Sequence, residues 1–302
     1  MSWSALDTAT AEVFAALQAA GVPSILLKGR TLAVWLYDDP AERPYGDADL
    51  LVAPSRLHNA ERILATMSFR GREYASARGS PAARIWTRDT DQVAVELHTV
   101  LVGVEADPEN AWHALEAESE EFRIAGRSVS ALRTPARALL IAIAAAEKGA
   151  FAEKPRRDLT AALERVPEAS WRQAANLADR LAANAAFASG LRLTPAGQIL
   201  ARRLGLSDAR SASVALRAEA SPDVRGAALS LAWIAEQSGF RARGKATARV
   251  LVPLPSDMRD AYPLSRRGRL GLIAAYVQRL VSLVPGLVPA ARAYATARRR
   301  HD

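Results

Sequence analysis

The chain has 302 residues and half of them are apolar, so its length and composition suffice for two ordinary domains with their own cores. It contains no cysteine, which excludes a disulfide scaffold, a thiolate metal site and a cysteine nucleophile. The formal net charge of +8 indicates attraction to anions such as nucleotides, nucleic acid or an acidic membrane surface.

Neither end of the chain has the pattern of a membrane or secretion signal. The first residues are not a basic segment followed by an apolar one, so we expect no secretion signal and a cytoplasmic location. The most hydrophobic segment, 270–290, is interrupted by Gln278, Arg279, Pro285 and Pro289, so we expect no transmembrane span there.

Arginine is concentrated near the C-terminal end, with almost no aromatic residues between the arginines. A groove that stacks nucleic-acid bases would need such aromatic residues. The pattern favours a solvated helix end, with nucleic acid or lipid contact as the alternative. The arginines concerned are Arg266, Arg267, Arg269, Arg279, Arg292, Arg298, Arg299 and Arg300.

The first elements form a helix, a strand, a glycine turn and a second helix. Apolar spacing over 4–20 predicts a helix, which Gly21 and Pro23 end. The short apolar run 24–27 predicts a buried strand, and helical spacing returns over 31–37, directly after Gly29. Such a turn collects free backbone N–H groups at a positive helix end, an arrangement that suits a phosphate.

Two aspartates follow at the start of the next apolar run. The segment 38–46 contains prolines and a glycine and is predicted to be a loop that carries Arg43. Asp47 and Asp49 then open a strand, where residues two apart point to the same face. Two carboxylates at one place are costly without a cation between them, and hard oxygen ligands favour Mg²⁺.

A third carboxylate follows on a later strand. After a helix that Pro54 opens and a loop over 71–82, the segments 84–88 and 92–99 are predicted to form a hairpin. In its second strand Glu96 and His98 share a face, opposite the apolar face, and Glu96 can neighbour the two aspartates. A lone histidine on a strand is most often structural, and a direct role for His98 is the alternative.

Beyond about residue 108 the pattern is almost purely helical, which gives an α+β chain with a small sheet followed by helices. We predict three parts: residues 1–107, a helical substrate or accessory domain over 108–255, and a basic amphipathic helical segment over 256–302. The apolar stripe of the last segment favours packing over membrane contact. The residues of this stripe are Leu272, Tyr276, Leu280 and Leu283.

The order of these motifs resembles a known family. The motifs are Leu27-Lys28-Gly29, Arg43, the run 47–52, and Val95-Glu96-Leu97-His98. The chain resembles the nucleotidyltransferases of the DNA polymerase β superfamily, most closely a bacterial group of stand-alone members. The resemblance is specific over the first hundred residues. The helical remainder is also similar, including a helix start at 157–159, where the pairing of Arg157 with Asp158 is expected to be structural.

The resemblance implies a polymerase-β-like catalytic domain in which Asp47, Asp49 and Glu96 bind Mg²⁺, with Mn²⁺ as an alternative. Glu96 would also deprotonate the acceptor hydroxyl. The residues that would meet the nucleotide phosphates are Lys28, Gly29, Arg30 and Arg43. The alternative for the three basic ones is that they are charged residues of a surface loop. Arg30 and Glu96 depart from the usual pattern, and the Arg30 guanidinium could pair with phosphate or crowd it.

The expected function is Mg²⁺-dependent transfer of a nucleoside monophosphate from an NTP, with ATP as the expected donor, to a hydroxyl, with release of pyrophosphate. The acceptor would be a small molecule, a peptide or a protein. One alternative is a nucleotide-binding or scaffolding protein of a biosynthetic pathway that has lost turnover. Another is an RNA-directed nucleotidyltransferase, which the charge favours and the scarcity of aromatic residues disfavours.

Overall fold

The computed structural model describes residues 3–72, 83–207 and 212–299. The predicted loop over 71–82 therefore lies almost entirely outside the described residues. The described chain falls into two compact units. The first holds the sheet and the helices up to residue 207, and the second holds residues 149–151 and the helices from residue 212 onwards.

A mixed sheet of seven strands forms the centre of the first unit, which confirms the predicted α+β class. Its spatial order is β3-β4-β5-β2-β1-β7-β6. β2 runs parallel to β5 and antiparallel to β1, and β1 runs parallel to β7. The strands are β1 (Ser24–Leu26), β2 (Asp47–Val52), β3 (Phe69–Arg72), β4 (Ala83–Arg88), β5 (Val93–His98), β6 (Ser119–Ile124) and β7 (Arg127–Leu132).

One face of the sheet packs on α1 (Trp3–Ala19) and α3 (Leu57–Thr66). Leu50 and Val95 belong to this core, because alternate residues of β2 and β5 point to it. The opposite face packs on α2 (Arg30–Leu36) and on the helices that follow β7. The predicted helix over 4–20, the strand, the helix after Gly29 and the hairpin are thus confirmed, with ends shifted by one or two residues. The helix from Pro54 was expected to continue to the loop at residue 71, which is wrong: α3 ends at Thr66, Ser68 has a positive φ that a helix cannot contain, and β3 follows.

The expectation of almost pure helix after residue 108 is wrong for β6 and β7. These strands form an antiparallel hairpin, and Ala125 and Gly126 at its turn both have positive φ. β6 is an edge strand with mostly exposed polar side chains, so its sequence lacks the apolar run of a buried strand. The predicted domain boundaries after residues 107 and 255 stay predictions.

Six helices complete the first unit. α5 (Thr134–Lys148) is almost fully buried and forms the centre of the helical core, and the next three helices of the chain pack against it. Its alanines allow close approach of neighbouring backbones, as at Gly190. The helices are α4 (Pro108–Glu116), α5 (Thr134–Lys148), α6 (Glu153–Arg165), α7 (Glu168–Arg180), α8 (Asn184–Leu191) and α9 (Pro195–Arg203).

The second unit contains helices only, among its described residues. Its small core consists mostly of alanines and leucines from the first, second and last of them. The helices are α10 (Ala212–Glu219), α11 (Pro222–Glu236), α12 (Phe240–Leu251), α13 (Pro255–Ala261) and α14 (Gly268–Arg299).

The last helix, α14, has 32 residues and continues through Pro285 and Pro289, which were expected to interrupt the segment. Within the described chain it is the one helix long and apolar enough to cross a membrane, and 11% of its most apolar window is buried. One such helix is weak support for a span, and the predicted absence of a transmembrane segment stays a prediction. Of the predicted packing stripe, Leu272, Tyr276 and Leu283 are partly buried, whereas Leu280 is exposed.

The close crossing of α8 and α5 gives a stability prediction. A Cβ atom at residue 190 would lie 1.8 Å from the carbonyl oxygen of Ala142, and both backbones belong to packed helices. We expect Gly190→Ala to lower the free energy of unfolding by about 3 kcal/mol, because the helices must separate. Thermal and urea denaturation of the purified protein measure this change. Gly46→Ala is the control, because a Cβ there meets open space, and equal losses in both variants would contradict the crossing.

Candidate active site

A cavity of about 240 Å³ lies in the first unit, where β1, β2 and β5 meet α5 and α6. Carboxylates line it from the sheet, cations surround them, and α5 supplies an apolar wall. The lining residues are Lys28, Gly29, Leu32, Arg43, Tyr45, Asp47, Asp49, Glu96, Leu140, Ile141, Ala144, Lys148, Lys154, Pro155 and Asp158.

The register of β2 and β5 brings the predicted carboxylates together. Asp49 lies directly opposite Glu96 in the parallel pair, and Asp47 lies two residues earlier on the same face. Ligand atoms of Asp49, Glu96 and His98 all lie within 4.8 Å of one another, a spacing that could hold a metal ion. His98 thus completes the compact set, whereas Asp47 lines the same cavity beside it.

Asp49 is the best-stabilised carboxylate of this group. Lys28 Nζ donates a hydrogen bond to its Oδ1 at 3.2 Å, and His98 Nε2 lies 3.0 Å from the same oxygen. Burial alone would raise the pKa of Asp49. The hydrogen bond from His98 and the charge of Lys28 outweigh it and hold that pKa well below its usual range. Asp49 is therefore ionised at neutral pH.

The other two carboxylates are poorly stabilised in the ionised form. Burial, followed by the negative charge of Asp49, raises the pKa of Asp47. The same two causes, with Asp47 as a third, raise the pKa of Glu96. Lys28 and His98 reduce these shifts without cancelling them. A cation among the three carboxylates would relieve this repulsion.

Gly29 forms the turn between β1 and α2 beside these carboxylates. Its φ of 77° and ψ of −125° lie in a region open to glycine alone, and an added Cβ would lie 3.4 Å from Cδ2 of Tyr45. The backbone N–H of Leu27 donates to the carbonyl oxygen of Asp49 at 2.9 Å, which fixes the turn against β2. The backbone at Gly29 is therefore open to the cavity.

Arg30 points towards α1 rather than into the cavity. Its Nε lies 3.8 Å from Oδ2 of Asp7, and the hydroxyl of Tyr45 donates to Oδ1 of Asp7 at 2.6 Å. Trp3 stacks on Tyr45. Arg30 is absent from the cavity lining in the described chain, so this arginine leaves the space beside Gly29 open. Its predicted phosphate contact stays a prediction.

Arg43 is buried and bound to α6. Its Nε and Nη2 reach the carboxylate of Asp158 at 2.8–2.9 Å, and Nη1 donates to the carbonyl oxygen of Gly29 at 3.4 Å. The hydroxyl of Tyr37 also donates to Asp158 at 2.8 Å. The expected pairing of Arg157 with Asp158 is thus replaced, because Arg157 lies over the ring of Tyr37 and donates to a loop carbonyl.

Sequence reasoning missed two lysines of the cavity, Lys148 and Lys154. Lys154 donates to the carbonyl oxygen of Pro44 at 2.6 Å, and burial, followed by the charge of Arg43, lowers its pKa. The signal was the basic composition of 148–157, which has four Lys or Arg residues in ten. Only the fold shows that this segment faces the carboxylates.

A comparison with protein families agrees with the motif order. A family model described as uncharacterised nucleotidyltransferase matches residues 4–196. One solved structure, an antigenic nucleotidyltransferase-like protein from Paracoccidioides brasiliensis, is similar with 14% identity and a TM-score of 0.41. The similarity covers 69% of this chain and 95% of that one. No curated protein matches the chain.

The buried pair of Arg43 and Asp158 gives a stability prediction. Asp158→Asn would leave the guanidinium buried without its counter-charge, and we expect the free energy of unfolding to fall by about 3–5 kcal/mol. The matched control is Asp38→Asn, which removes the exposed partner of Arg165 and should cost less than about 1 kcal/mol. Urea denaturation measures both variants, and equal effects would contradict a structural role for the buried pair.

The carboxylates give a second prediction. In the presence of a chelator, two conservative variants should change the melting temperature in opposite directions. The raised pKa of Glu96 means that its ionised form weakens the fold once the pH exceeds that pKa. Glu96→Gln should therefore raise the melting temperature at pH 8, and this gain should vanish below pH 4. The lowered pKa of Asp49 means that its charge stabilises the fold above its ordinary pKa, so Asp49→Asn should lower the melting temperature at pH 8. Changes of the same sign would contradict the assignment.

Proposed function

Because this chain belongs to the family of uncharacterised nucleotidyltransferases, we propose that it transfers a nucleoside monophosphate from an NTP to a hydroxyl group and releases pyrophosphate. We propose ATP as the donor, Mg²⁺ as the metal, and a small molecule, peptide or protein as the acceptor. The observation that carries the proposal is the register of Asp49 against Glu96, with Asp47 beside them, at a cavity lined with lysines.

The residues of the cavity fit a divalent cation. Asp47 and Glu96 have raised pKa values because carboxylates crowd one another there, and a cation would relieve this. Asp49 and Glu96 would hold it, together with Asp47 or His98. Oxygen ligands favour Mg²⁺, and Mn²⁺ also accepts them. The bound metal would supply positive charge to the phosphoryl oxygens of the transferred group.

The cations and the glycine turn support the binding of a triphosphate. Lys28, Lys148 and Lys154 bring three positive charges to one cavity, and the backbone at Gly29 allows close approach. Arg43, held by Asp158, positions the turn through the carbonyl oxygen of Gly29. We propose that the lysines bind the phosphates and that Arg43 acts by holding the turn in place.

The apolar wall supports the binding of a nucleobase. Leu140, Ile141 and Ala144 of α5 and Leu32 of α2 line the cavity. Aliphatic side chains provide van der Waals contact with a base but form no hydrogen bonds with its polar edge, so they do not distinguish one base from another. We therefore propose weak discrimination among bases from this wall alone.

Glu96 is the proposed base of the reaction. The acceptor oxygen would attack the α-phosphorus while the bond from phosphorus to the leaving pyrophosphate oxygen breaks. The hydroxyl proton would pass to the Glu96 carboxylate. Glu96 lies directly opposite Asp49 in the paired strands, so this carboxylate stands beside the other proposed metal ligands.

A nucleotide-binding protein without turnover is the second candidate. The observation that favours it is the contact of Asp49 with Lys28 and His98, because the lysine already neutralises the carboxylate. Such a protein would bind NTP without forming a nucleotidyl product.

The absence of cysteine is compatible with a reducing compartment, and we propose the cytoplasm for either function.

The test combines calorimetry with mass spectrometry. We expect an ATP analogue to bind tightly only with Mg²⁺, and candidate acceptors to gain the mass of a nucleoside monophosphate. Glu96→Gln should lower product formation by at least about 100-fold through loss of the base. Lys154→Ala should raise the KM for ATP about tenfold through loss of a charged contact.

The control variant is Glu121→Gln, because Glu121 is exposed on β6, three strands away from β2. It should leave both binding and product formation unchanged. NTP binding that needs Mg²⁺ and yet persists unchanged in Asp47→Ala and Asp49→Ala would contradict the catalytic assignment. Mg²⁺-dependent binding with no product on any acceptor would favour the second candidate.

A further inference from the structure

Most of the large apolar residues of α14 face away from the unit to which the helix belongs. Over 270–288 they recur three or four residues apart, which places them within about a third of the helix circumference. They are Leu270, Ile273, Val277, Leu280, Val281, Val284, Leu287 and Val288, all between 43% and 82% exposed. We call this set the outer stripe. At 1.5 Å per residue it is about 27 Å long.

The opposite face of α14 is already occupied, and its fully buried residues are small. Ala290 and Ala297 pack on α10 and α11, and Ala275 is also buried. Tyr276 donates to the carbonyl oxygen of Pro253, and Arg279 donates to that of Val250. These contacts fix one side of the helix to its own unit. A surface helix of a soluble protein normally buries its large apolar residues, and α14 buries its small ones.

The segment of the chain that carries the outer stripe is strongly positive. Residues 240–299 contain twelve Lys or Arg and two Asp. The net charge of this segment is therefore +10, which is more than the +8 of the whole chain. Arg269 precedes the stripe, and Arg292, Arg298 and Arg299 follow it on the same side of the helix. The partner of the stripe must therefore combine negative charge with an apolar layer.

We propose that the outer stripe lies on an anionic lipid surface, with its aliphatic side chains in the apolar layer and the flanking arginines at the headgroups. Helices of this kind lie in the plane of the membrane interface. Pairing with a second copy of the chain would bring two strongly positive surfaces together, which opposes self-association. Aliphatic residues without tryptophan or tyrosine also differ from the usual centre of a protein interface.

The helix lies on the membrane rather than spanning it. A spanning helix exposes its whole circumference to lipid or to other spanning helices, whereas α14 is tied to α12 through Arg279 and packs on α11. The inference is independent of the proposed catalysis, because it concerns residues of the other unit.

The test adds the full chain to preformed vesicles and measures co-sedimentation. We expect binding to phosphatidylcholine vesicles that contain phosphatidylglycerol, little binding to phosphatidylcholine alone, and loss of binding as salt rises. Val277→Ser with Val281→Ser and Val284→Ser should abolish binding. These side chains are exposed, so the fold should persist, as circular dichroism will show.

Two matched controls separate the stripe from general effects. Gln278→Ala with Ser282→Ala changes the exposed polar side of the same helix and should leave binding intact. Arg269→Gln with Arg292→Gln should weaken binding at least about tenfold, whereas Arg62→Gln with Arg202→Gln, which remove the same charge from the other unit, should not.

Three results would overturn the inference. Equal binding to both vesicle types would mean that anionic lipid is not the partner. A dimer in light scattering that the three serine substitutions dissociate would assign the stripe to a second copy. A monomer that binds neither vesicle type would exclude a lipid partner and would indicate an acidic protein partner instead.

Discussion

The parallel register of β2 and β5 is the constraint on which the candidate site depends. It places Asp49 opposite Glu96, so two carboxylates lie side by side in a partly buried position. The cost of this arrangement is visible in the raised pKa of Glu96, and its compensation in the contacts from Lys28 and His98 to Asp49. Clustering these charged side chains in one cavity does not serve stability alone. Their clustering is therefore the physical reason to expect a cation and an anionic ligand at this place.

The loop that carries Arg43 shows how the sheet and the helices share one site. Arg43 reaches the carboxylate of Asp158 on one side and the carbonyl oxygen of Gly29 on the other. The buried pair therefore positions the glycine turn and holds α6, with Lys154, against the cavity. The lysine then contributes charge to a site whose two aspartates lie about a hundred residues earlier in the chain.

Much of the first hundred residues could be predicted from the sequence, because turn residues and apolar periods there coincide. The shared face of Asp47 and Asp49 and the neighbouring position of Glu96 follow from strand alternation and are confirmed. The hairpin of β6 and β7 was not predicted, because β6 is an edge strand of mostly polar residues and lacks the apolar run that predicts a buried strand. Asp158 and Lys154 could not be placed either, because their partners are more than a hundred residues away and only tertiary packing brings them together.

The strand order also sets the sequence in which the site can assemble. β1 lies between β2 and β7, so the strand that precedes Gly29 gains its second neighbour only when residues 127–132 are available. Asp158 follows later still. During synthesis from the N-terminus, the carboxylates therefore emerge well before the helix that completes their surroundings. A nascent chain shorter than about 160 residues would present an incomplete pocket without Lys154 and Asp158, and the onset of ligand binding would mark the docking of α6.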